Sequence, residues 1–298
     1  MIPPARAALP VSDHPCPPGR VLAFLLLTAS LVLSGCQRAK PDPSVLRIAT
    51  TTSYLEAVAQ DLLGADLQVV RLAEPGACPG HFDIRPSQVQ ELRQCRLLLR
   101  FDFQQSLDAR LAHLSADGPH VVEVAPGGGL SRPDRYLLAC RQAADHFVRH
   151  GLLTQTSAAA RVETIAQRLT ELARDATNQI ARAELRGAAV LASVHQREFC
   201  EWLGLNVAAT FRGADTAGIR DLETAIAAGK LAPVRLVIAN RPEGRRTADA
   251  LAARLGGAVV VLDNFPSVQD GGIRFDDLLR GNVAALIQGS VASMRQKP

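Results

Sequence analysis

The chain has 298 residues, a formal net charge of +4, 47% hydrophobic residues and only 4% aromatic ones. That composition is ordinary for a globular protein. Its 33 Lys and Arg residues are dispersed rather than gathered into a patch, which argues against a nucleic-acid-binding surface.

The N-terminal end reads as an address. Arg6 and Arg20 precede an apolar run over residues 21–27 that continues through Leu31 and Val32. The run is too short and too poorly flanked for a secure membrane span, and the pattern is that of an export signal. The tetrad Leu33-Ser34-Gly35-Cys36 then resembles a bacterial lipobox. The resemblance implies cleavage before Cys36 and lipid on its sulfur, so residues 1–35 are expected to be a lipoprotein signal peptide. Residues 36–44 contain Pro41 and Pro43 and show no periodicity. They are expected to be a tether that holds the folded body to a membrane surface through the lipid.

Strand and helix patterns alternate from Val45 onward. Residues 45–50 read as a buried strand, 53–63 as a helix with Leu55, Val58, Ala59 and Leu62 on one face, and 67–72 as a second strand. The turn-rich loop 75–87 follows and carries Cys78, His81 and Asp83 between Pro and Gly residues. A helix starts at Ser87, strands occupy 96–101 and 121–124, and Gly127-Gly128-Gly129 begins a flexible crossing. Residues 157–185 form the longest helical pattern, with Val162, Ile165, Leu169, Leu172, Ala176 and Ile180 recurring at three- and four-residue steps. At about 1.5 Å per residue such a helix spans roughly 40 Å. The second half repeats the alternation, with strands at 188–193, 207–211, 234–239 and 258–262 and helices at 219–228, 247–255 and 275–294. The expected fold is α/β, two lobes with largely parallel sheets joined by one long helix. Its expected parts are an N-terminal lobe over 45–152, a linking helix over 153–186 and a C-terminal lobe over 187–298.

In open α/β sheets ligands bind outside the carboxyl ends of the strands. His81, His195 and Asp263 each follow a predicted strand end, the first in one half and the others in the second. If the halves face each other, all three converge on the cleft as a metal site. Imidazole and carboxylate suit zinc, and such mixed sets also suit manganese. Cys78-x-x-His81 has the spacing of a metal half-site, and Cys78 reads equally well as a disulfide partner or turn residue. Setting aside Cys16 and Cys36, the four cysteines Cys78, Cys95, Cys140 and Cys200 permit three pairings, between which the sequence does not choose. Cys95 lies in an apolar run and reads as a small buried residue. Glu198, near His195, reads as a solvent-facing helix residue.

These residues resemble the solute-binding lipoproteins of zinc and manganese importers driven by ATP-binding-cassette pumps, over about residues 45–296. The loop from Pro75 to Ser87 matches the family's first ligand loop, with His81 in the ligand place and Cys78-Pro79-Gly80 where Asp-Pro is usual. Arg132-Pro133-Asp134-Arg135-Tyr136-Leu137 matches the second ligand segment and puts Asp134 in the place of a His. Ser193-Val194-His195, followed by Phe199, Trp202 and Gly204-Leu205, matches the third, two residues shorter than usual. Asp263 takes the fourth place. An acid common after the preceding strand is replaced by Asn240, and a His-rich loop seen in some zinc-specific members is absent.

The resemblance implies a monomeric extracytoplasmic receptor, lipid-anchored in the cell envelope, and not an enzyme. It would capture zinc, or secondarily manganese, and deliver the ion to a permease and its ATPase. The implied ligands are His81, Asp134, His195 and Asp263, with Cys78 as a substitute or gate. Two imidazoles and two carboxylates neutralise a divalent cation, which offsets the cost of burying it. Imidazole must be deprotonated to bind, so affinity is expected to fall below about pH 6.5. Rival readings are a receptor of the same shape for a chelated metal or small organic solute, a metallohydrolase, and a scaffold with a decayed site. Neither a Ser nucleophile elbow nor a His-Glu-x-x-His motif supports the hydrolase.

Overall fold

The computed structural model describes residues 46–64, 67–75, 83–112 and 118–295. Expectations for the signal peptide, Cys36 and the tether therefore lie outside the described residues. Within the described residues no helix is long and apolar enough to cross a membrane.

Two four-stranded parallel sheets carry the architecture. The first contains β1 (Arg47–Thr50), β2 (Gln68–Arg71), β3 (Leu97–Phe101) and β4 (His120–Val124), in the order β2-β1-β3-β4. The second contains β5 (Ala189–Ser193), β6 (Asn206–Phe211), β7 (Leu236–Asn240) and β8 (Ala258–Leu262), in the order β6-β5-β7-β8. The two halves thus have the same topology. In each, the strand order reverses direction next to the first strand, and that switch point is where a crevice opens beyond the strand ends.

Burial explains the strand sequences. Central strands β3, β5 and β7 are buried along their whole length, so they read as near-continuous apolar runs rather than alternating ones. Edge strands β2 and β6 are mostly half-buried. Arg100 interrupts β3, and its guanidinium is satisfied by Asp108 at 2.6 and 2.7 Å and by Glu123 at 2.8 Å.

Helices α1 (Ser53–Leu63), α2 (Pro86–Leu92), α3 (Ser106–Leu111), α4 (Pro133–Arg149) and α5 (Gln155–Arg182) accompany or follow the first sheet. Helices α6 (Arg197–Trp202), α7 (Ile219–Leu231), α8 (Arg246–Leu255) and α9 (Phe275–Arg295) belong to the second half. The Thr52 hydroxyl caps α1 by accepting from the Leu55 amide, and Thr154 caps α5 by accepting from the Ser157 amide at 3.2 Å. Helix α5 is the expected long helix. It buries Ala158, Ile165, Leu169, Leu172, Ala176 and Ile180 as one stripe.

Helix α4 is an element the sequence reading did not anticipate. The crossing that begins at residues 127–129 is short, because α4 begins only four residues later. Pro133 occupies its first turn, where a missing N–H costs nothing, and Tyr136, Ala139, Cys140, Ala143, Ala144 and Phe147 make its buried face. A short antiparallel pair, β9 (Val268–Gln269) and β10 (Gly272–Ile273), was also not anticipated.

The lobes share one hydrophobic core. Tyr54 of α1, Tyr136 of α4 and Phe275 of α9 meet where they join, with Tyr136 stacked on Phe275 at 4.2 Å and Tyr54 edge-on to Tyr136 at 5.3 Å. Beside them Asp61 accepts from the Tyr136 hydroxyl at 2.7 Å and from Arg168 of α5 at 2.5 and 3.1 Å. Arg168 also lies 3.6 Å from Asp276 of α9. Burial pushes the Asp276 carboxyl above its ordinary value, against the pull of Arg168.

Cys95, Cys140 and Cys200 are all buried free thiols, so no pairing among these three forms. Cys78 lies outside the described residues. Burial pushes the Cys95 thiol up to about 12 and the Cys140 and Cys200 thiols well above their ordinary value.

Gly289 lets α9 lie close on β8. A Cβ there would stand 2.2 Å from Cγ2 of Val260, a side chain with little rotamer freedom. Gly289→Ala is expected to lower stability by about 1–3 kcal/mol through overpacking, although alanine is intrinsically the better helix former. A urea midpoint at or above that of the wild type would contradict the close approach.

Candidate functional site

Both switch points open onto one cleft. A cavity of about 550 Å³ lies between the strand ends, with Asp102 and Phe103 beyond β3, His195 beyond β5, Glu243 beyond β7, and Asn264 and Phe265 beyond β8. The loop Gly127–Leu130 after β4 forms another wall.

His195 sits two residues past β5, and its side chain is 56% exposed. Its backbone amide donates to the Ser193 hydroxyl at 3.3 Å, which fixes the turn. Its Nε2 lies 3.6 Å from Oε1 of Glu243. Glu243 closes a short 3-10 turn, Arg241–Glu243, directly after β7. Its carboxylate accepts from the Ser193 hydroxyl at 2.5 Å and from the Gly213 amide at 3.2 Å. Two donors thus hold one carboxylate beside the imidazole, and both side chains line the cavity. Sequence reasoning missed Glu243. The resemblance directed attention to Asn240 at the strand end, while the acid stands three residues further on, where the turn brings it back to His195.

Asn240 has a supporting role. The fully buried Gln196 side chain donates to Oδ1 of Asn240 at 3.1 Å and to Oδ1 of Asn264 at 2.8 Å. This amide bridge ties the ends of β5, β7 and β8 together.

Asp263 stands immediately after β8, as expected, and its carboxylate accepts from the Arg241 guanidinium. That bond raises the Arg241 pKa above its ordinary value. The Asp263 backbone is held by Asn282, whose amide group both donates to its carbonyl at 2.8 Å and accepts from its N–H at 2.9 Å. Ser131 of the first lobe donates to the same carbonyl at 2.9 Å. Asp134 lies in the first turn of α4, where Arg132 clamps it with two bonds of 2.8 and 3.0 Å, and Arg135 stands 3.9 Å away. His81 and Cys78 lie outside the described residues. Among the described residues, no group of three or more His, Cys, Asp or Glu side chains is placed to hold a metal ion.

Glu198 corrects the sequence reading. It does not simply face solvent but lines the cavity, with its carboxylate 3.5 Å from Arg132 and 4.0 Å from Arg135 across the lobe boundary. The loop of the first lobe touches it so closely that a Cβ at Gly128 would stand 2.2 Å from Oε1 of Glu198. The sequence signal for this contact was the glycine run itself, which permits close approach.

Comparison with known proteins adds a family and a fold. The sequence profile described as zinc-uptake complex component A, periplasmic (ZnuA), matches residues 48–289. A comparison with curated proteins gives no match. Among solved structures, ZnuA superposes with a TM-score of 0.66 at 13% identity, covering 84% of this chain and 99% of that one. The Mn-bound periplasmic metal binding protein from Candidatus Liberibacter asiaticus gives 0.68 at 10% identity, covering 82% and 98%. The laminin binding protein of Streptococcus agalactiae, described as bifunctional with adhesin and metal transporting activity, gives 0.66 at 15% identity, covering 82% and 99%.

Proposed function

Because the chain belongs to the family of periplasmic zinc-uptake complex component A proteins, we propose that it is an extracytoplasmic receptor for a divalent cation. It binds the ion between its lobes and delivers it to an ATP-binding-cassette permease and its ATPase, without chemical turnover. Zinc is the proposed cargo, with manganese second. Residues 45–152 and 187–298 act as the two lobes and 153–186 as their shared backbone. A lipid on Cys36 holds this monomer in the cell envelope.

The observation that carries this reading is the His195–Glu243 pair, 3.6 Å apart in the cleft between the two switch points. A neutral imidazole beside a fixed carboxylate supplies two donors of the types zinc and manganese accept. The proposed ligands are these two together with His81, Asp134 and Asp263, and with Cys78 as a substitute or gate. Asp134 and Asp263 enter the set by exchanging a guanidinium partner for the ion, since Arg132 and Arg241 now hold them.

Thermal unfolding of the purified chain, stripped by chelator and then given zinc or manganese, tests the reading. A ligand at about a hundred times its dissociation constant stabilises the bound form by roughly 2.7 kcal/mol. A midpoint that neither metal moves would overturn it.

A further inference from the structure

The cavity is larger than an ion requires. Six waters at about 30 Å³ each occupy about 180 Å³, a third of the 550 Å³ between the strand ends. Cavities of about 300–1,000 Å³ are the size that small organic ligands fill. The excess does not come from lobes standing apart. Ser131 bonds across the boundary to Asp263 at 2.9 Å, Arg132 lies 3.5 Å from Glu198, and Tyr136 stacks on Phe275.

The lining also exceeds what an ion can use. Phe103 is 57% exposed, its ring stacked on Phe101 at 4.9 Å, and Val194 is 39% exposed beside His195. Both line the cavity, so part of its wall is apolar and able to cover a carbon body. Asn240 and Asn264 line the same cavity with their oxygens already bonded to Gln196. Each of those oxygens already accepts one bond, and the Asn240 and Asn264 amide N–H groups can donate to a carboxylate or carbonyl oxygen.

Resting on the receptor reading above, we propose that the cargo occupies this cleft as a divalent cation already carrying one small amino-acid chelator. In that state the chelator takes the places of the other proposed protein ligands, His195 and Glu243 supply the protein's share of the coordination sphere, Asn240 and Asn264 donate to the chelator's oxygens, and Phe103 and Val194 cover its carbon body. Charge selects the class. Among the described lining residues, Asp102, Glu198 and Glu243 are the ionisable acids, and of these Glu198 pairs with arginines, Arg132 and Arg135. One amino-acid anion on a divalent metal leaves a net positive complex, which suits that lining. A tricarboxylate leaves a negative one, which does not.

Equilibrium dialysis of the full chain against zinc alone, radiolabelled histidine alone, zinc with one equivalent of radiolabelled histidine, and zinc with one equivalent of radiolabelled citrate tests the proposal. The expected result is histidine retained one for one with zinc, no histidine retained without zinc, and no citrate retained. Phe103→Ala should retain zinc from the zinc-only arm as well as the wild type does, and lose at least tenfold in histidine retention. Zinc retained from the zinc–histidine arm with no histidine beside it would overturn the chelate while leaving the receptor reading intact. Citrate retained in place of histidine would overturn the charge argument. Zinc retained in none of the arms would overturn the receptor reading and the chelate with it.

Discussion

His195→Ala is expected to weaken zinc binding at least a hundredfold, about 2.8 kcal/mol at 1.4 kcal/mol per decade, while leaving the unloaded fold intact. The two halves of that expectation have separate grounds. The imidazole is more than half exposed, so its removal opens no buried cavity. Its loss takes one neutral nitrogen donor from the cleft and leaves Glu243 as a carboxylate held by Ser193 and Gly213. Glu243→Gln should act differently, because it keeps the shape but removes the negative charge that offsets the ion. The smaller effect expected there is about tenfold, or roughly 1.4 kcal/mol. Titration calorimetry with zinc on the two variants and the wild type gives these ratios directly. Equal affinity in His195→Ala and the wild type would remove His195 from the site.

Phe275→Ala should cost about 3–5 kcal/mol of folding stability, the range for deleting a fully buried aromatic ring. Phe275 is 1% exposed and sits between the tyrosines of two first-lobe helices. Its removal takes away both the transferred apolar area and a stacked contact with Tyr136, and the surrounding helices are anchored too firmly to close the gap. Asp61 and Arg168 are locked by their own bonds beside it. Urea unfolding should show a lower midpoint with an unchanged slope. A loss below about 1 kcal/mol would mean that the lobes do not depend on this junction, contrary to the depth of its burial.

The fold was legible where burial is one-sided or complete. Strands β3, β5 and β7 are apolar at nearly every position because both faces are covered, and α5 shows its stripe because only one face is. Helix α4 was obscured by its own approach: the glycine run before it reads as a loop signal, and its start coincides with a segment whose resemblance to a ligand motif gave it another meaning. His195 was legible because it ends an apolar strand. Glu243 was not, because a 3-10 turn, with no periodicity of its own, decides that the third residue past β7 reaches the imidazole. The arginine partners of Asp134 and Asp263 were equally hidden. Arg132 is two residues from Asp134, a spacing that means nothing until α4 begins between them, and Arg241 reaches Asp263 only because β7 and β8 are adjacent. His81 and Cys78 remain expectations from the sequence.

The shuttered thiols of Cys95, Cys140 and Cys200 carry a consequence for life outside the cytoplasm. Oxidants and disulfide exchange act through the thiolate, and at neutral pH these three sulfurs hold their protons and lack a path to solvent. Once folded, the described body offers an oxidising compartment nothing to crosslink. Among the described residues its durability there rests on packing, hydrogen bonds and ion pairs rather than on crosslinks, and the hazard lies earlier, in the interval between emergence of the chain and closure of the core.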